Sequence, residues 1–180
     1  MSSVRYAFFR FLRIFRGLGA ANPLSIPNKR VIFSEYFKGF GKVEAVRDIF
    51  GDKTDEVLGH LIVELSWIFG YMYVDGLDGH LVISKGYLNK GNRTDIYLDL
   101  IHELCHVKQF MEGRELFDPK YDYVDRPTEI EAYRVAVTEA KRIGLSDERI
   151  CLYLKTEWMN EADFVKLAKS VNVQVPITSR

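Results

Sequence analysis

Hydrophobic and polar positions follow several distinct periods along the chain. From Thr54, apolar residues recur with helical spacing at Val57, Leu58, Leu61, Ile62, Leu65 and Ile68, and Gly70 supplies a stop. Short apolar runs at 71–74 and 81–84 flank Asp75-Gly76-Leu77-Asp78-Gly79, which predicts a β-hairpin. A further run at 30–33 predicts a strand. The next helix is expected to begin at Thr94, whose hydroxyl can cap it, and to stop at Gly113. A loop containing Pro119 and Pro127 comes next, then a third helix from Thr128 to Ile143 ending at Gly144. A fourth is expected after Ser146 and a fifth after Asn160. Gly39-Phe40-Gly41 lacks the third glycine of a phosphate loop, because Glu44 stands in its place, and reads as an ordinary turn. Strands precede most of the helices, so the expected class is α+β.

The N-terminal pattern is different. Residues 4–18 carry Arg5, Arg10, Arg13 and Arg16 and no acidic residue. On a helix the arginines share one side, and Phe8, Phe11, Leu12, Phe15 and Leu18 share the other. Such a segment reads either as a surface helix for an anionic membrane or a partner protein, or as a helix packing its phenylalanines on its own domain. Pro23 and Pro27 punctuate the residues after it. The expected organisation is therefore a basic amphipathic arm at 1–19, a linker at 20–29 and one domain at 30–180.

Composition narrows the function classes. The chain has 180 residues, 47% of them hydrophobic, enough for one sizeable core. Lysine plus arginine balances aspartate plus glutamate at 25 each, so it lacks the positive field that drives nucleic-acid binding, and no nucleic-acid partner is expected. Two cysteines, Cys105 and Cys151, stand far apart, which fits a reduced protein better than a disulfide scaffold. With no apolar run of bilayer-spanning length, the expected location is cytoplasmic, peripheral to a membrane if the N-terminal helix docks there.

The strongest chemical signal is His102-Glu103-Leu104-Cys105-His106. In a helix, residues four apart stack on one face, so both imidazoles can reach one divalent cation. Glu103, about 100° round the helix, would stand beside the ion as a base for an activated water. Two histidines need a third ligand. The candidates are Glu131, Glu129 and, more remotely, Asp125. Glu131 is favoured because small Ala132 and Ala136 nearby would let its helix approach closely, although Thr128 and Glu131 also have capping-box spacing.

The motif His102-Glu103-Leu104-Cys105-His106-Val107-Lys108-Gln109, followed by Glu129-Ile130-Glu131-Ala132-Tyr133, resembles small gluzincin-type metallopeptidases, including the ImmA/IrrE-like zinc peptidases and the minimal gluzincins. The resemblance covers about 81–143. It implies a zincin-like fold in which a short hairpin or sheet adjoins the motif helix, a second helix carries the glutamate, and further helices come after. It implies Zn²⁺ on His102, His106 and Glu131, Glu103 as general base, and a peptide or protein substrate. It also implies an edge strand above the metal that pairs with the substrate backbone, for which 81–84 is the best candidate. The acidic residue that some gluzincins place four positions after the glutamate ligand is missing, since Val135 stands there, so no partner orienting the histidines is identified. Tyr121, Tyr123 and Arg126 are candidate oxyanion stabilisers, and His80 a candidate substrate contact. Mn²⁺ or Fe²⁺ would suit the same ligands. The rival reading keeps the fold but not the catalysis: a silent binding or regulatory module that docks through its N-terminal helix.

Overall fold

In the computed structural model, residues 29–67 and 70–176 are described. The expected arm at 1–19, and the linker up to residue 28, lie outside them. The chain begins with strand β1 (Lys29–Ile32) and a single helical turn, α1 (Phe33–Tyr36). Two short helices, α2 (Glu44–Phe50) and α3 (Thr54–His60), lead to β2 (Ile62–Ser66). Strands β3 (Met72–Val74) and β4 (Leu81–Ser84) form the expected hairpin, and α4 (Lys85–Lys90) comes directly after. The remainder is helical: α5 (Arg93–Met111), α6 (Pro127–Arg142), α7 (Asp147–Leu154) and α8 (Glu161–Ser170). This is an α+β architecture, as the order of the patterns indicates.

One expected element changes type. The helix anticipated from Thr54 to Ile68 ends at His60, and 62–66 is a strand. Within it Val63 and Leu65 are fully buried while Ile62 is exposed, so the burial alternates with period two. The apolar spacing fitted both periods, and pairing with two neighbouring strands decides the matter.

The sheet order is β1-β2-β4-β3. β2 runs antiparallel to β1 and parallel to β4, and β3 pairs antiparallel with β4. β4 is therefore interior, and all four of its residues are buried. Its backbone is occupied on both sides, so the expectation that 81–84 would receive a substrate strand does not hold. Among the described strands, β1 and β3 are the edges.

Helix α5 is the centre of the molecule. Asn92 caps it, its side chain accepting from the backbone N–H groups of Thr94 and Asp95 at 2.9 and 3.3 Å, two residues before the expected cap. From Ile96 to Gln109 it is buried nearly all round, which befits a helix walled by neighbours rather than laid on a surface. α2, α6 and β3 pack against it. Rings of Phe33, Phe37 and Phe40 cluster at centroid distances of 5.0–6.0 Å, and Phe40 meets Tyr97 of α5 at 5.6 Å. On α6, Ala132 and Ala136 are fully buried, as the close approach of the two helices requires. The hairpin is fastened to the other end of α5. Gly79 has φ +76°, and a Cβ there would run into the Phe110 ring, so both conformation and space demand glycine.

Replacing Ala136 by Leu should force α5 and α6 apart. The expected cost is about 1–3 kcal/mol, read from the midpoint of urea unfolding; an unchanged midpoint would contradict the tight packing.

Candidate metal centre

His102 and His106 occupy successive turns of α5, and their Nε2 atoms face each other at 3.0 Å. The carboxylate that meets them comes from Glu129. Its Oε2 lies 3.3 Å from His102 Nε2 and 3.4 Å from His106 Nε2. Ligand atoms about 2.0–2.1 Å from a tetrahedral ion stand roughly 3.3–3.4 Å from one another. The triangle thus has the dimensions that one small cation would impose. Glu129 Oε2 meets the two imidazole nitrogens, and on the far side of its ring His102 Nδ1 is buried without a hydrogen-bond partner, an expensive arrangement for polar atoms removed from water. The donor chemistry and the shared Oε2 fit a divalent ion.

Glu131, the favoured ligand of the sequence reading, lies elsewhere. Pro127 opens α6 with Arg126 as N-cap, so the spacing of Thr128 and Glu131 forms no capping box. Instead, Thr128 Oγ1 donates to Leu116 O at 3.1 Å. Glu129 and Glu131 are about 200° apart around the helix, so only one can face α5 squarely. The side chain of Glu129 is 5% exposed and that of Glu131 36%. Ala132, Tyr133 and Ala136 are three, four and seven positions after Glu129, on its face of the helix. The alanines that seemed to favour Glu131 are therefore neighbours of Glu129. The third candidate, Asp125, instead pairs with Lys166.

Glu131 has a supporting position. It accepts from Arg114 Nη1 at 2.5 Å and from Gln109 Nε2 at 3.1 Å. Gln109, fully buried, also donates to Thr128 O at 3.0 Å and presents Oε1 to His106 Nδ1 at 2.7 Å. With Nδ1–H donating to that amide oxygen, His106 keeps its Nε2 lone pair for an ion. Gln109 is the orienting partner that sequence reasoning left unidentified. It stands three residues after His106, a helical neighbour that spacing could have nominated. His102 is placed by packing, with Tyr133 edge-on at a centroid distance of 4.4 Å.

The three donors open into a cleft of about 790 Å³ walled by β3, α4, α5, the loop before α6 and the segment after α7. Glu103 projects into it beside Val74. Its Oε2 is buried without a partner, and burial pushes its carboxyl up to about 8, helped by the charges of Glu129 and Asp99. Glu129 moves the opposite way. Burial alone would raise it, but the two imidazoles hold it well below the usual carboxylate range. Burial lowers His102, whereas at His106 the hydrogen bond with Glu129 and the charge of Glu103 overcome burial and raise the ring to about 9.

Of the other candidates, Tyr123 and Arg126 line the cleft. Tyr123 Oη is 2.9 Å from Tyr133 Oη, and burial keeps Tyr123 protonated far above its ordinary range. Arg126 lies over the Tyr123 ring at 5.9 Å, with Nη1 3.6 Å from Glu129 Oε1 and a buried Nε that has no partner. Tyr121 is exposed and outside the cleft wall. His80 is turned into the hairpin, where its Nδ1 bonds Asp78, with Glu64 3.8 Å from Nε2; it too is outside the cleft wall.

Glu129→Ala should weaken Zn²⁺ binding more than the roughly 10–100-fold that loss of an orienting partner costs. Gln109→Ala should fall within that range, and Glu131→Ala should still bind one equivalent. Competition with a chromophoric chelator measures all three; Glu131→Ala losing zinc while Glu129→Ala kept it would reverse the assignment. Compared with models of protein families, with curated proteins and with solved structures, the chain matches none.

Proposed function

We propose that this chain is a zinc-dependent peptidase of zincin-like construction, with His102, His106 and Glu129 as metal ligands and Glu103 as general base. The observation that carries the reading is the triangle of donor atoms at 3.0, 3.3 and 3.4 Å, with a second carboxyl, that of Glu103, opening onto the same cleft. A bound zinc ion supplies Lewis acidity, lowering the pKa of water and polarising a carbonyl.

The chain's own residues do the rest. Glu103, one position along from a ligand and withdrawn from bulk solvent, can take a proton at its carboxylate and return it to a leaving amine. Tyr123 and Arg126 line the same cleft beside Glu129, hydrogen-bond donors for charge that develops on a carbonyl oxygen. β3 lines the cleft as an edge strand, its outer backbone groups unpaired in the sheet, and a peptide laid along it would be held in extended form. This strand takes the part that the resemblance had suggested for 81–84. Membership of the zincin class rests on the same arrangement of hairpin, motif helix and glutamate helix. Among the described residues no helix is long and apolar enough to cross a membrane.

Glu103→Gln should keep one equivalent of zinc and lower turnover of a fluorogenic peptide library about 10²–10⁴-fold. Full activity in that variant would remove Glu103 from the mechanism. Zinc bound by the unaltered chain with no cleavage of any library member would leave a metal-bearing binding module instead.

A further inference from the structure

The cleft extends beyond the metal triangle towards Asp99. This residue is three positions before His102 and four before Glu103, so it stands on the same face of α5, one turn upstream. Both Asp99 and the metal ligands line the one cleft. Tyr87 Oη donates to Asp99 Oδ2 at 2.5 Å, and the Tyr153 hydroxyl adjoins the same carboxyl. Both are neutral donors.

Several other acids in or beside this cleft have positive or ionisable partners, Glu103 being an exception. Asp95 pairs with Arg149, Glu161 with Lys155 at 2.7 Å, and Glu129 with the imidazoles. Among the described residues no cation pairs with Asp99. Burial raises its carboxyl to about 7, the behaviour of an acid that lacks a positive charge beside it. Over this corner stands an aromatic wall. Tyr71 packs edge-on against Tyr87 at 4.7 Å and meets Trp158 at 5.7 Å, and Trp158 is half exposed. A carboxyl with neutral donors, roofed by electron-rich rings and open to a cleft, is suited to an ammonium or guanidinium group.

We propose that this end of the cleft is a subsite for a cationic side chain of the substrate, lysine or arginine, with Asp99 as its counter-ion and Tyr71 as its aromatic wall. The proposal rests on the peptidase reading for the word substrate, and on the cleft alone for the binding preference. Tyr71 precedes β3 and Val74 ends it, so the subsite lies about 10 Å along the strand direction from the point where Glu103 meets Val74. The recognised residue therefore sits within a few positions of the bond to be cut.

The test uses zinc-loaded Glu103→Gln protein and pairs of N-acetylated, C-amidated peptides that differ only by lysine or norleucine at one position. At one position, lysine should bind roughly 10–100-fold tighter by calorimetry, as expected for a charged hydrogen bond. Adding Asp99→Asn should bring that ratio to about one, whereas loss of a merely structural contact would weaken both peptides together. Equal affinity for lysine and norleucine at every position overturns the subsite, and this comparison does not require the Asp99 variant to fold. Cleavage by the unaltered chain is followed in parallel. Lysine preference without any cleavage would retain the subsite and reject the peptidase, and cleavage without preference would do the reverse.

Discussion

The structure depends on one crowded contact: a carboxylate oxygen and two imidazole nitrogens brought within 3.0–3.4 Å of one another in a buried place. Polar atoms removed from water are costly unless a partner completes them, and here the partners are chiefly each other. The contact also sets the spacing of two helices. Glu129 has a short side chain and can reach α5 only if the backbones come close, which Ala132 and Ala136 permit. Bulk on that face would separate the carboxylate from the imidazoles.

A second tier of polar contacts holds the first. Arg114, Glu131 and Gln109 form a chain from the surface to His106, each bond at 3.1 Å or less. This makes the two histidines unequal. His106 is oriented by hydrogen bonding, and His102 by the ring of Tyr133 and its place on the helix. Errors in the chain should therefore affect His106 first, and through it the basicity of the whole triangle.

How far the sequence revealed this depended on the kind of signal. His102, Glu103 and His106 were legible because helical periodicity turns spacing directly into geometry. The caps at Ser146 and Asn160 were legible because each side chain accepts from a backbone N–H of the next turn, at Arg149 and Asp163. β2 was not, since the apolar residues around Ile62 and Leu65 satisfy two periods, and only neighbouring strands choose between them. The short α2 and α4 gave too few turns to show a pattern. Glu129 was among the candidates but ranked behind Glu131 for a subtler reason. The glutamate beside the alanines in sequence is not the one beside them in space, and the helix wheel, rather than adjacency, carries that information. The orienting role of Gln109 needed the position of α6, which no local pattern supplies.

Gly79 has a consequence for how the cleft adapts. Because the hairpin rests directly on Phe110, the β3 wall and the motif helix are joined at that end without intervening solvent or a flexible side chain. A shift of one would carry the other, leaving the spacing between the edge strand and the His102–His106 pair nearly constant. The facing wall is built from other elements, Tyr123 on a single 3-10 turn and Arg126 as the N-cap of α6.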